Sequence, residues 1–162
     1  MAKEVWDLEK LKKEYEIIRK KHNLLTFKEM NNDFEIEKLQ ERETEYLLKE
    51  VRRIVMDKAM AYLRFIEMLL NPNNCPLFFL SLLRKIGADE KKLLQNMYEK
   101  IGIFELEALE LDCIYDEKRE ADFVKRLCKE WKSISNDMIN FLSSLRKKQS
   151  QNLGKDEKGY LG

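Results

Sequence analysis

The acidic side chains between residues 101 and 117 are the first candidates for chemistry. This stretch contains no lysine or arginine, and its carboxylates are Glu105, Glu107, Glu110, Asp112, Asp116 and Glu117. At 100° per residue, Glu105 and Asp112 lie beside the apolar stripe of their predicted helix. Glu117 and Glu120 lie on the apolar side of the next helix. Because Mg²⁺ and Mn²⁺ prefer oxygen ligands, the pattern predicts a metal site for phosphate chemistry at these four residues. An acidic rim paired with neighbouring lysines is the alternative.

Lys58 offers a second interpretation of the same carboxylates. It falls within the apolar arc of its predicted helix, beside Val55 and Tyr62. A bare ammonium group is costly there unless it is paired or extends to water. We therefore predict a buried ion pair between Lys58 and either Glu105 or Asp112, with a phosphate-binding lysine as the alternative.

The other reactive residue types do not form a motif. Cys75, Cys113 and Cys128 include no CxxC pair, and with a single histidine they fall short of a standard structural zinc site. We expect reduced, packed thiols and no catalytic residue. His22 is predicted to end the first helix, where a cation favours the helix dipole. Lysines and arginines gather on the first and last predicted helices, which makes nucleic acid a candidate partner, with solvated helix faces as the alternative.

Composition indicates an all-helical chain. Of the 162 residues, 44% are hydrophobic and 38% charged, and 5 Gly and 2 Pro are too few for the many turns of a β protein. The net charge of +1 argues against a strong overall attraction to nucleic acid. The apolar runs are shorter than the roughly 18 residues of a membrane span, and the N-terminus lacks the apolar core of a secretory signal. We expect a cytoplasmic protein without a membrane partner.

Periodic apolar residues predict the elements that position these groups. They indicate a single-domain antiparallel bundle of three long helices, at about residues 44–70, 89–115 and 116–148. The first of these carries one apolar face, made of Leu48, Val51, Val55, Ala59, Tyr62, Ile66 and Leu69. Pro72 ends it, because proline cannot continue the helix. Residues 77–86 predict a short helix, and because its segment 77–83 is apolar all round we expect that helix to be buried.

The N-terminal region precedes this bundle. Residues 1–25 predict an amphipathic helix with a narrow apolar seam, typical of a docking helix or a coiled coil, that includes Leu8, Leu11, Tyr15 and Ile18. Thr26 and Glu29 match a capping box, so residues 26–43 are predicted to form a short helix and a linker.

These boundaries give one domain at residues 1–149, with its bundle core at 44–149. A disordered tail is predicted at 150–162, because that segment is polar and contains three glycines. The sequence contains no catalytic motif, so we favour a function that does not require one, that of a helical interaction or scaffold module. Such a module presents an apolar face to a protein partner or to a second copy. A metal-dependent phosphohydrolase and a nucleic-acid-associated protein are the alternatives.

Overall fold

The computed structural model describes residues 7–42 and 44–156, and the regular structure within those ranges is helical. In chain order the elements are α1 (Leu8–His22), α2 (Phe27–Phe34), a 3₁₀ helix (Ile36–Glu41), α3 (Leu47–Leu70), a 3₁₀ helix (Pro72–Asn74), α4 (Leu77–Leu83), α5 (Ala88–Cys113) and α6 (Glu117–Asp156). The predicted all-α class is confirmed. No helix in the described ranges combines the length and apolar character that a membrane span requires.

Short-range interactions define both ends of α1 and the start of α2. Asp7 caps α1 by accepting a hydrogen bond from the backbone N–H of Lys10 (2.7 Å). The predicted capping box is present, since the hydroxyl of Thr26 accepts from the Glu29 N–H and the Glu29 carboxylate accepts from the Thr26 N–H. Asn23 ends α1 with a φ of 54°, a left-handed conformation that asparagine adopts more readily than most residues.

Helix α3 lies at the centre of the fold. It packs against α5 and α6, and also against α1, α2 and the first 3₁₀ helix. Because neighbours contact it on several sides, its buried residues cover more than the single face that periodicity predicts. They are Leu47, Leu48, Val51, Arg52, Ile54, Val55, Met56, Ala59, Leu63, Ile66 and Leu69.

Helices α5 and α6 run antiparallel and are joined by a short connection. Near that connection, Phe104 packs edge to face against Phe123, with 5.5 Å between the ring centroids. At the far end, Glu90 of α5 accepts hydrogen bonds from Ser144 (2.7 Å) and Lys148 (2.6 Å) of α6. Contacts that join early α5 to late α6 establish the antiparallel direction.

The short helix predicted to be buried is instead largely exposed. Within α4, Leu82 is buried and Phe79 packs on Phe65 at a ring distance of 6.0 Å. Leu77, in contrast, is 85% exposed and Phe78 is 62% exposed. The prediction of burial was wrong. Helix α4 is part of the connection between α3 and α5, and one of its faces packs against the other described helices while the opposite face is exposed.

The ends of the domain also differ from the predicted boundaries. Helix α6 continues through residues 150–156, where a disordered tail was predicted. No proline interrupts that segment, so the backbone hydrogen bonding of α6 extends past the last buried residue. The remainder of the predicted tail, residues 157–162, lies outside the described residues, as do residues 1–6 of the predicted N-terminal helix and residue 43 of the linker.

Glu90 ties the beginning of α5 to the end of α6. Besides its bonds to Ser144 and Lys148, it accepts a hydrogen bond from the backbone N–H of Gly87 (2.8 Å) and so caps α5. Burial by itself raises the pKa of Glu90, but the hydrogen bonds from Lys148, Ser144 and Gly87 outweigh burial and lower that pKa to about 2.

We expect Glu90→Gln to lower the free energy of unfolding by about 1 to 2 kcal/mol near pH 7, because it removes the charge from three hydrogen bonds. The pKa of Glu90 lies below its ordinary value of 4.5, so its contribution is fully present above about pH 5 and is lost as the pH falls toward 2. Urea denaturation of wild type and variant near pH 7 and near pH 3 measures the change in the free energy of unfolding and its dependence on pH. Glu99→Gln is the control. A difference between variant and wild type that is equal at both pH values contradicts the prediction.

Candidate functional site

The acidic region predicted to carry chemistry is built around a buried arginine. Arg52 of α3 is 1% exposed, and its three guanidinium nitrogens all donate hydrogen bonds. Nε donates to Glu120 of α6 (2.6 Å), and Nη2 donates to Asp112 of α5 (2.7 Å). Nη1 donates to the carbonyl of Ala108 (3.3 Å). One side chain therefore joins the three long helices.

The helices bring these groups together for simple geometric reasons. Arg52 lies four residues after Leu48 and seven before Ala59, so it shares their inward face. Asp112 lies in the last turn of α5 and Glu120 in the first turn of α6. A short connection joins those two helices, so Asp112 and Glu120 lie close together at the same end of the bundle, where both reach Arg52. The first turn of a helix also favours a negative charge.

The two carboxylates of this network have different environments. Asp112 also accepts a hydrogen bond from Arg53 (3.2 Å) and lies 3.8 Å from the ammonium of Lys49. Burial raises the pKa of Asp112, but the two arginines outweigh it and hold the pKa below its ordinary value. Glu120 is 0% exposed, and burial raises its pKa despite the hydrogen bond from Arg52. Its second oxygen, Oε1, has no hydrogen-bond partner among the described residues.

The four carboxylates predicted to bind a metal do not converge. Asp112 and Glu120 meet at Arg52, whereas Glu105 and Glu117 take no part in that network. Across residues 7–42 and 44–156, no group of three or more His, Cys, Asp or Glu side chains is placed to hold a metal ion. Arg52 binds one carboxylate oxygen of Glu120 and one of Asp112.

Glu117 instead joins the start of α6 to the end of α1. Its carboxylate lies 2.6 Å from His22 Nε2 and 2.8 Å from the ammonium of Lys21. The hydrogen bonds from His22 and Lys21 lower the pKa of Glu117. His22 ends α1 as predicted, and it also contacts a second helix, which the sequence did not indicate.

The predicted buried ion pair between Lys58 and Glu105 or Asp112 does not occur among the described residues. Asp112 is paired, but with Arg52 and Arg53. Lys58 donates instead to the backbone carbonyl of Asp33 (2.5 Å), which links α3 to α2. Its flexible stem allows the ammonium to leave the apolar arc and reach that carbonyl. Glu105, the other predicted partner, has no ion pair within the described chain.

The apolar seam of α1 packs on its own chain. Leu11 and Tyr15 are buried, and Leu8 and Ile18 are partly buried. The hydroxyl of Tyr15 donates to the carbonyl of Leu25 (2.7 Å), and burial raises the pKa of Tyr15. Because α1 contacts α2, α3 and the first 3₁₀ helix, the apolar seam predicted for a docking helix or a coiled coil packs against the same chain.

The cysteines occupy three different environments. Cys128 is buried, Cys75 is partly buried and Cys113 is exposed, and all three are free thiols. The expectation of a packed cysteine therefore holds for Cys128 and was wrong for Cys113, which ends α5 beside the connection to α6.

A row of apolar side chains is exposed on α5. Ile103, Leu106 and Leu109 are between 57% and 68% exposed. At 100° per residue they lie on the side of the helix opposite the buried residues Ile101 and Phe104. Helix α5 is therefore apolar on two opposite sides, and the bundle covers one of them. We call Ile103, Leu106 and Leu109 the outer face of α5.

Carboxylates border this outer face. Glu99 and Glu105 lie along one side of the row and Glu110 along the other, as their helical positions require. Glu110 is paired with Arg119 of α6 at 2.9 Å, and both side chains are exposed. Glu99 and Glu105 have no ion pair within the described chain. The arrangement presents an apolar strip with an acidic border.

We expect Arg52→Met to destabilise the protein by about 3 to 5 kcal/mol, because it leaves the Glu120 carboxylate buried without its cation. Adding Glu120→Met should recover much of that loss, since no buried charge then remains unpaired. Chemical denaturation measures both variants. Arg53→Met is the control, because Arg53 is partly exposed and its loss should cost about 1 kcal/mol or less. A single Arg52 variant as stable as the Arg53 control contradicts the structural role.

We also expect millimolar Mg²⁺ or Mn²⁺ to leave the melting temperature unchanged to within about 1 °C, because binding to the folded state alone would raise it. Scanning fluorimetry with and without each metal makes the measurement, and NaCl at matched ionic strength is the control. A rise that depends on metal concentration and disappears in Glu105→Gln would restore the metal-site hypothesis.

The chain thus combines a closed charged junction with an open apolar face. The junction can hold helices in place, and the outer face of α5 can bind another apolar surface. No known protein family matches the sequence, and neither a curated protein nor a solved structure shows significant similarity to it.

Proposed function

We propose that this chain is a helical protein–protein interaction module that docks its partner on the outer face of α5. The observation that carries the proposal is the exposure of Ile103, Leu106 and Leu109 in one row. Apolar residues scattered singly over a surface are ordinary, whereas contiguous apolar patches with a polar border mark interaction sites. A row at this spacing suits an amphipathic partner helix laid along α5.

The acidic border defines the chemistry of the partner. A helix with a leucine-rich face flanked by lysine or arginine would place opposite charges next to Glu99, Glu105 and Glu110. A second copy of the same face would instead bring these carboxylates against their counterparts, which is unfavourable. The proposal therefore favours a different protein with a basic amphipathic helix over self-association through α5.

The test is affinity capture from the native host with a matched pair of surface variants. Leu106→Glu with Leu109→Glu is expected to abolish binding of the partner, because it places two charges in the apolar strip. The melting temperature should change by less than about 2 °C, since both positions are exposed. Leu77→Glu is the control, because Leu77 is a leucine on α4 that is even more exposed than Leu106 and Leu109. Wild type and the Leu77 variant should retain the same stoichiometric partner.

The other outcomes overturn the proposal in distinguishable ways. A partner retained equally by wild type and the α5 variant places the docking surface elsewhere, and one lost with Leu77→Glu places it on α4. A partner released by nuclease treatment would assign the chain to nucleic acid. Analytical ultracentrifugation distinguishes self-association, since a dimer that dissociates in the α5 variant would mean that the outer face binds a second copy.

A further inference from the structure

A cavity opens between the α1–α2 corner and α6. Its volume is about 240 Å³, and Leu24, Met30 and Cys128, all buried, form its floor. The sulfur atoms of Met30 and Cys128 are 3.5 Å apart. Because burial raises the pKa of Cys128 to about 12, the thiol is neutral at physiological pH. The floor is thus uncharged and mainly apolar.

Three lysines line the same cavity. Lys125, Lys129 and Lys132 follow one another along one face of α6 and are exposed, so their charges lie toward the solvent. Lys125 lies 4.0 Å from Asp122, and within the described chain Lys129 and Lys132 have no ion-pair partner. No aspartate or glutamate lines the cavity. Its mouth therefore carries three lysine charges, with the carboxylate of Asp122 beside Lys125 and that of Glu29 near Lys132.

We propose that this cavity binds a small organic anion with an apolar body, of the class represented by medium-chain carboxylates. At about 30 Å³ per water molecule in the liquid, 240 Å³ corresponds to roughly eight water-sized groups, which suits the hydrocarbon chain of octanoate. The floor takes up the chain while the lysines interact with the carboxylate.

The combination of an apolar floor with lysines at the mouth favours some classes of ligand over others. An inorganic anion such as phosphate would leave the apolar floor unoccupied, and an apolar amine would be repelled by the lysines. Water is poorly held on the floor, because a buried water needs two to four polar partners. The site lies on the α1–α2 connection, α2 and α6, so the inference goes beyond the proposed docking function of α5 and does not depend on it.

The test is calorimetric titration of the full chain with octanoate, hexanoate and octanol. Octanoate should bind about fifteen times more tightly than hexanoate, because each buried methylene contributes about fourfold. Octanol, which has the chain but no charge, should bind more weakly than octanoate.

Lys129→Gln with Lys132→Gln should weaken octanoate binding by about tenfold. Lys118→Gln, which changes an exposed lysine of α6 outside the cavity, should have no effect.

The location is checked by NMR of the protein labelled at its methionine methyl groups. Octanoate should shift the methyl resonance of Met30 and leave that of Met97, buried on α5, unchanged. The inference is overturned if octanoate does not bind, if it binds without shifting the Met30 resonance, or if the lysine variants bind it as tightly as wild type. Binding of an acidic peptide but not of octanoate would likewise overturn it, and would assign this face to a protein.

Discussion

A guanidinium group withdrawn from water must find oxygen acceptors for its donors, and at Arg52 this requirement fixes three helices relative to one another. The acceptors come from Ala108 and Asp112 on α5 and from Glu120 on α6. A buried ion pair contributes little net stability, because desolvation offsets the attraction, but breaking it is costly. Sliding α5 or α6 by one turn would leave the arginine unpaired. The network therefore selects one packing of the long helices.

Although the net charge is near zero, acidic and basic side chains are concentrated in different regions of the surface. The outer face of α5 has a carboxylate border, whereas the cavity beside α6 is lined by Lys125, Lys129 and Lys132. Because screening in physiological salt limits exposed charges to a range of about 8 Å, each region acts on its own surroundings. One chain thus offers an acidic apolar strip and a lysine-lined apolar cavity, which suit ligands of opposite charge.

The helices were predictable from the sequence because their signals are local. The capping box at Thr26 and the stop at Pro72 depend on residues close in the chain, and the structure has both helix boundaries there. The exposure of α4 was not predictable, since an apolar segment does not reveal whether a neighbour covers it. The length of α6 was also missed, because polar composition and glycines were taken as signs of disorder although the segment contains no proline.

The partners of charged residues were the least predictable feature, since they depend on how distant helices align. Periodicity placed Asp112 beside the apolar stripe; its side chain is 41% exposed and accepts a hydrogen bond from Arg52. The cation was misassigned to Lys58, although Arg52 shares the face of Leu48 and Ala59 and this spacing was visible in the sequence. A lysine can extend to a distant carbonyl, whereas the planar, fully charged arginine suits two carboxylates at once.

The wide separation of Arg52 and Glu120 along the chain has a consequence for biosynthesis. The two residues are 68 positions apart, so α3 leaves the ribosome well before the first turn of α6 exists. Until α6 is synthesised, the guanidinium group lacks the carboxylate of Glu120 and forms hydrogen bonds with water instead. This part of α3 therefore becomes buried only after α6 has formed. Contacts that close such long loops form late. A nascent chain truncated before α6 therefore keeps a hydrated, open junction where the finished protein is dry, and such chains are natural clients for chaperones.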